Sequence, residues 1–300
     1  TNFGGDTCES LGYYGGQITC SANCQQDISQ CQFHGYCGDG IVQENFYGEV
    51  CDGTNLGHYP TQCSDLFWAG GEITCNEDCQ PDLSACRYFV QMEGFYTHTC
   101  AIDNEGNGYC WGRGGYGEIG DGTKDDGLVP KKLHLPPGTQ VMEVAMGVDH
   151  SCLIDTAQQL WCTGRNASGQ LGNGTTSSSS TPVLVDAPAG HLWSKLSCSR
   201  DACCSADTDG DVYCWGRASY LLLVEGYSTE TIPIHIPGFG NPIVDVECTM
   251  RFCAALDDTG SVWWWGQLSD AGGTDSATPV LADIPQAVIS LEAGSDGVCA

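Results

Sequence analysis

The run HTCAIDNEGNGYCWG, residues 98–112, returns as HSCLIDTAQQLWCTG at 150–164, as ACCSADTDGDVYCWG at 202–216 and as FCAALDDTGSVWWWG at 252–266. In each run an apolar segment reaches a short polar loop, and a second segment closes on Cys-Trp-Gly or a near variant. Apolar and polar residues alternate on both sides of the loop, which is the pattern of a β-hairpin. The closing landmarks, Cys110, Cys162, Cys214 and Trp264, are 52, 52 and 50 residues apart. Outward from the first two hairpins come GEIGDGT (117–123) and GQLGNGT (169–175), and all four continue into a proline-bearing edge segment: VPKKL, TPVLV, IPIHI and TPVLA. A further strand, VMEVAMG, LWSKLSC, IVDVEC or VISLEAG, precedes the next hairpin position. Units of this length with three or four short strands predict an all-β chain built as a β-propeller, each blade packing on its neighbours. Four hairpins are present and a fifth begins at Gly294, so the expectation is a propeller that is partial or continues past residue 300.

The hairpins also predict disulfides. Cys100 and Cys110, Cys152 and Cys162, and Cys204 and Cys214 are each ten residues apart, directly opposed on adjacent strands, where non-hydrogen-bonded pairs come close enough to bond. In the fourth repeat both cysteines are replaced together, by Ala254 and Trp264. Cys198 with Cys203 and Cys248 with Cys253 form a second class, present in repeats three and four and absent from the first two. The total of 21 cysteines is odd, and Cys299 falls where Cys100 falls. Its partner is expected about ten residues beyond the end, with a reactive thiol as the competing reading.

The residues G-x-x-H-T/S-C, C-W-G-R-x-x-x-G-x-x-G-x-G-T and T/V-P resemble the regulator of chromosome condensation repeat family, usually a seven-bladed propeller. The likeness covers about 210 residues; it is strong in repeats one and two, whereas repeats three and four lack the G-x-x-G-x-G-T segment. The family's prototype promotes nucleotide exchange on a small nuclear GTPase and touches chromatin. The disulfide class and the acidic charge of this chain argue against that role, and fold alone does not transfer function.

The first 86 residues differ in kind. They hold twelve Asp or Glu and no Lys or Arg, with ten of the cysteines; the remaining residues carry 26 acids and all ten bases. CESLGYYGGQITCSANCQQDISQC from Cys8 reappears from Cys63 as CSDLFWAGGEITCNEDCQPDLSAC, with cysteine spacings of 12, 4 and 7 in both copies. Residues 1–32 are therefore expected to be a partial cysteine-rich repeat, 33–87 a complete one, and 88–300 the propeller. With CGDG and E-x-C-D-G ahead of the GG-x-x-x-C block, the unit resembles the myxobacterial-type cysteine-rich repeats of secreted and surface proteins, which implies an extracytoplasmic location and no catalysis. About 50 residues bury little apolar surface, so disulfides worth roughly 2–4 kcal/mol each are expected to hold the fold. Six cysteines allow 15 connectivities. Cys37 with Cys51 is preferred because both are missing from the first copy; structural zinc at Cys20-x3-Cys24 and Cys75-x3-Cys79 is the alternative.

A net charge of −28 and a pI near 4.1 exclude a phosphate-backbone binder, whose affinity comes from clustered Lys and Arg. No apolar run reaches the roughly 18 residues of a membrane span. Cysteine at this density points to an oxidising compartment, outside the cell or at its surface. The chain opens at Thr1 without Met or a signal-type apolar stretch, which suggests a mature or excised portion.

Sites for chemistry are few. No Gly-x-Ser-x-Gly elbow, HExxH or P-loop is present, so no enzyme is expected and no cofactor beyond possible calcium. Asp207, Asp209 and Asp211 look like a calcium loop but sit where a hairpin turn favours Asp-Gly; Asp39 and Asp52, in a unit without bases, are further calcium candidates. Asn166 and Asn173 stand in glycosylation sequons. His98 and His150 share a repeat position filled elsewhere by Ala202 and Phe252, which favours packing near the central channel over metal or acid–base work. The leading functional expectation is a secreted or surface structural and binding protein, a stapled stalk plus a propeller that presents a protein- or glycan-binding face, or binds copies of itself in a fibrous assembly. Tyr220, Tyr227 and Phe239 are candidate contacts. The alternative is a soluble propeller-type enzyme inhibitor or lectin, its acidic face covering a basic rim.

Overall fold

A computed structural model describes residues 6–8, 10, 17–20, 25–31, 42, 50–52, 54–63, 70–187, 190–217, 229–267, 275–294 and 296–300. The chain divides into two compact units, Thr1–Tyr88 and Phe89–Ala300.

Among the described residues of the first unit β1 (Thr19–Cys20) pairs with β2 (Gln26–Asp27), and β3 (Thr74–Cys75) with β4 (Pro81–Asp82), at equivalent places in the two copies. Bonds Cys8–Cys31 and Cys63–Cys86 close the two copies identically, and Cys51, Leu56, Cys63, Ile73 and Cys86 form a small core. The expected Cys37–Cys51 bond is overturned: Cys51 is bonded to Cys75, which its backbone approaches to 5.7 Å between Cα atoms. Joint absence from the first copy is a weak guide, because a cysteine brought in with an extra segment can pair with one already there. Cys37 itself lies outside the described residues. Cys75 and Cys79 are both disulfide-bonded, which removes the zinc alternative at that pair.

The second unit is a run of antiparallel four-stranded sheets in sequential order. Blade one comprises β5 (Phe89–Phe95), β6 (His98–Asp103), β7 (Gly108–Gly112) and β8 (Gly127–Lys132). Blade two holds β9 (Val141–Met146), β10 (His150–Asp155), β11 (Leu160–Gly164) and β12 (Ser179–Leu184). Blade three holds β13 (Trp193–Cys198), β14 (Ala202–Asp207), β15 (Val212–Arg217) and β16 (Thr229–Ile236). Blade four holds β17 (Ile243–Cys248), β18 (Phe252–Asp257), β19 (Val262–Gly266) and β20 (Ser276–Leu281), followed by the pair β21 (Glu292–Ala293) and β22 (Val298–Cys299).

Cys100 lies opposite Cys110, Cys152 opposite Cys162, Cys204 opposite Cys214, and Ala254 opposite Trp264. The three cysteine pairs are bonded, as are Cys198–Cys203 and Cys248–Cys253. Each landmark glycine, Gly112, Gly164, Gly216 and Gly266, has φ between 95° and 113° and follows a register shift against the outer strand. A Cβ there would strike the preceding strand's backbone, at His98, His150, Ala202 and Phe252 respectively, so only glycine ends the strand this way.

The core lies between blades. Ile102, Ile119, Val144 and Leu153 join blades one and two; Ile154, Leu171, Trp193 and Trp215 join two and three; Val212, Ile236, Val246 and Trp265 join three and four. The glycine-rich loops complete these joints: Ser151 donates to the Glu118 carbonyl, Thr163 to the Gly117 carbonyl, and the Trp215 indole to the Gln170 carbonyl. Phe239, a candidate contact from its sequence, packs edge-on to Trp263 and Trp265; Tyr220 and Tyr227 lie outside the described residues.

Candidate binding site in an acidic axial pocket

The first strands of successive sheets, β5, β9, β13, β17 and β21, touch one another in series, so they surround the propeller axis. Register fixes which side chains share a level. Glu93, Ala145, Ser197, Glu247 and Glu292 lie opposite Cys100, Cys152, Cys204, Ala254 and Cys299, at one repeat position. Two residues earlier Gln91, Glu143, Lys195 and Asp245 form a second level. Alternation along a strand turns residues i and i+2 to the same face, so both levels look inward. The first level, with Glu143 from the second, walls a cavity of about 190 Å³, whose lining also includes Cys198 and Cys248.

Four carboxylates thus line the cavity, and Lys195 and Asp245 stand on the second level beside it. Burial pushes the Glu143 carboxyl up to about 7, against the pull of Lys195 and a Leu196 amide. Burial, with Asp245 nearby, pushes Glu247 up to about 8, although Ser197 donates a hydrogen bond to its Oε2 at 3.1 Å. Glu93 is raised for the same first reason. At neutral pH the pocket holds protons in place of some of its charge, and a positively charged ligand would displace them.

The other sequence candidates separate from this pocket. Asp207 is buried, and its Oδ1 accepts from the amides of Asp209 and Asp211. Asp103, Asp155 and Asp257 do the same in their own hairpins, holding the amides two and four residues on. At the positions of Asp209 and Asp211 the other blades carry Glu105 and Asn107, Ala157 and Gln159, and Thr259 and Ser261. The arrangement is an Asx-type cap of the turn, which assigns the Asp207 carboxylate to the fold. In three blades the second oxygen accepts from an aromatic six residues later: the Tyr109 hydroxyl at 3.2 Å, the Trp161 indole at 2.9 Å and the Trp263 indole at 3.0 Å. The repeated Asp was visible in HTCAID, HSCLID, CCSAD and FCAALD, yet sequence reasoning singled out only the one with acidic neighbours. Asp52 is buried in a turn closed by mutual backbone bonds with Asn55; Asp39 lies outside the described residues.

Glycosylation at Asn166 is overturned. Its side chain is fully buried, and its amide nitrogen donates to Asn173, Thr175 and Ser177, leaving no room for a glycan. Asn173 is half-buried and receives that bond. The two histidines sit between blades. His98 Nε2 is 2.8 Å from the Ser151 hydroxyl, and His150 Nε2 is 3.1 Å from Cys203 Sγ. Burial pushes both rings down to about 4, so both are neutral.

Residues 105–154 and 158–206 match the regulator of chromosome condensation (RCC1) repeat, and 143–170 match it in a second form. The chain carries RCC1 repeats. It is 33% identical over 174 residues to the human E3 ubiquitin-protein ligase HERC2, covering 57% of this chain and 4% of that protein. To the ultraviolet-B receptor UVR8 of Arabidopsis thaliana it is 27% identical over 207 residues, covering 66% of this chain and 47% of the receptor. The chain therefore spans less than half the length of either relative. Among solved structures, yeast RCC1 (Prp20) bound to Kap60 superposes with a TM-score of 0.61 at 15% identity, over 96% of this chain and 61% of that one. Human WBSCR16 gives 0.60 at 20% identity, over 72% and 61%. These superpositions establish the RCC1-type β-propeller fold. Among the described residues no helix is long and apolar enough to cross a membrane.

Proposed function

We propose that this chain is a secreted or cell-surface binding protein, in which disulfide-closed cysteine-rich repeats carry a propeller whose axial pocket receives a positively charged group of a protein partner. The observation that carries this reading is the pocket, which Glu93, Glu143, Glu247 and Glu292 line, with Lys195 close enough to act on Glu93 and Glu143. The fold supports it: a solved relative is bound to the protein Kap60, and a second report on Prp20p describes binding to Gsp1p and histones. Bonds within each of the first three hairpins and within both units suit an oxidising location. The role read from this pocket is recognition.

The test is a titration with labelled peptides followed by fluorescence anisotropy. A lysine-rich peptide should bind, a glutamate-rich one of equal length should not, and raising salt should weaken the complex. Glu143→Gln with Glu247→Gln should reduce affinity at least about tenfold, equivalent to about 1.4 kcal/mol. Equal binding of both peptides, or no loss in the double variant, would remove the pocket from recognition.

A further inference from the structure

A second feature of the same blades is independent of partner binding. Cys203 and Cys204 are adjacent on β14, so their side chains leave the strand on opposite faces. On one side Cys203, bonded to Cys198, lies 3.7 Å in Sγ–Sγ distance from Cys152, which is bonded to Cys162 in the preceding blade. On the other side Cys204, bonded to Cys214, lies 3.6 Å from Cys253, which is bonded to Cys248 in the following blade. Two disulfides therefore abut at each of these two joints. The joint between blades one and two is built differently, since Cys100 faces the Ser151 hydroxyl at 3.5 Å. Cys198 and Cys248 line the axial cavity, which opens a route from solvent to one sulfur of each outer bond.

We propose that Cys198–Cys203 is a thiol-reactive site served by the axial pocket, where a small amine-bearing thiol converts two bonds within blades into one bond between blades, Cys152–Cys203. The incoming thiolate attacks Cys198 Sγ, forming a mixed disulfide and releasing Cys203 as a thiolate. Cys203 attacks Cys152 Sγ beside it, forming Cys152–Cys203 and releasing Cys162, which takes a proton from solvent. The external thiol ends in the mixed disulfide on Cys198 and the Cys162 thiol replaces it, so two disulfides and one thiol stand on each side and no oxidant is required.

Two neighbours shape this reaction. His150 Nε2 is the polar group next to Cys203 Sγ, and Nδ1 of the same buried ring has no partner. The tautomer with the proton on Nε2 donates to the departing Cys203 sulfur, which makes it the better leaving group. At the other joint the equivalent position is Ala202, and Cys253 has no such donor. The pocket's carboxylates attract an ammonium-bearing thiol and repel an anionic one.

The experiment treats the full oxidised chain with cysteamine or with 2-mercaptoethanesulfonate at equal thiolate concentration. After acid quenching and alkylation, peptides are mapped without reduction. The expected products are a Cys152–Cys203 cross-linked peptide, a cysteamine adduct on Cys198 and an alkylated Cys162. They should form at least about tenfold faster with cysteamine, ahead of Cys204–Cys253, and with Cys100–Cys110 intact. Alkylation of both Cys198 and Cys203 without the cross-link, or opening of Cys100–Cys110 at the same rate, overturns the proposal. Equal rates for the two cross-links overturn the part assigned to His150. Cys152→Ala with Cys162→Trp copies the Ala254/Trp264 pair of blade four and removes the acceptor bond. In that variant cysteamine should leave Cys203 free for alkylation, and an unalkylated Cys203 would show that the site does not react.

Discussion

Glu118→Gln should stabilise this protein, and more so as pH rises. Glu118 is fully buried on the glycine-rich loop of blade one; Oε2 accepts from the Tyr116 amide at 2.7 Å, while Oε1 has no hydrogen-bond partner. Burial pushes its carboxyl up, and Asp149 adds to the rise. Blade two has solved the same problem with Gln170. Its Oε1 accepts from the Ser168 amide, and its Nε2 donates to Asp201 at 3.1 Å, where blade one has Asp149. A glutamine at 118 would supply the missing donor and remove a buried charge. An unsatisfied buried group costs about 1–3 kcal/mol, and in a unit of this size each kcal/mol moves Tm by about 2–4 °C. Because the folded carboxyl is raised above its unfolded value, its stabilising share is complete below about pH 4.5 and is lost as pH climbs through the folded value. The variant therefore gains little at pH 4 and about 2–12 °C at pH 8. Differential scanning calorimetry of both proteins at the two pH values measures this. A variant that melts at or below the wild type at pH 8 would refute the reading of Glu118 as an unsatisfied acid.

The same sign governs the axial pocket: Glu247→Gln should raise stability at pH 8 by about 1–2 kcal/mol, after discounting for its contact with solvent, and change nothing at pH 4, as urea titration at each pH will show. Asp257 runs the other way. Burial opposes its ionisation, but hydrogen bonds from Thr259, Trp263, Asn241 and the Ser261 amide hold its carboxyl far below the usual range, so its stability is complete above the unfolded value and fades only in strong acid. Asp257→Asn should lower stability by about 2–4 kcal/mol at pH 7 and shift Trp263 fluorescence, whereas an unchanged spectrum and midpoint would remove the cap from the account. Gly147→Ala should be severe, since a Cβ there would overlap the His150 ring and the Ser199 carbonyl; a cost under about 1 kcal/mol by urea titration would contradict so tight a joint.

The fold was open to reading because hairpin spacing, glycine landmarks and paired cysteines are local signals, each repeated about every 50 residues. Ala254 opposite Trp264 showed the logic in the negative, a disulfide lost as a unit. The axial pocket was harder to see. Glu93, Glu143 and Glu292 stand singly in three strands and Asp245 with Glu247 in a fourth, and an acid in an alternating strand reads as a solvated face until register places it on the axis. The turn-capping aspartates were hidden for the opposite reason: Asp103, Asp155, Asp207 and Asp257 are identical in every repeat, and only Asp207, with its acidic neighbours, has the look of a site. Cys51 shows the limit of bookkeeping, since neither spacing nor copy number reveals which sulfurs the backbone brings together.

The hairpin bonds also bear on how the chain carries load. With Cys100–Cys110, Cys152–Cys162 and Cys204–Cys214 closed, the turn inside each loop is shielded from tension, and each bond withholds about 30 Å of contour at roughly 3.4 Å per residue. Cys51–Cys75 and Cys63–Cys86 overlap in sequence, so a pull entering at Cys51 either crosses to Cys75 and follows the backbone to Cys86, or follows the backbone to Cys63 and crosses to Cys86. Stretched between two anchor points, such a molecule would lengthen in short, sulfur-limited increments and recoil from each one with its hairpins still in register.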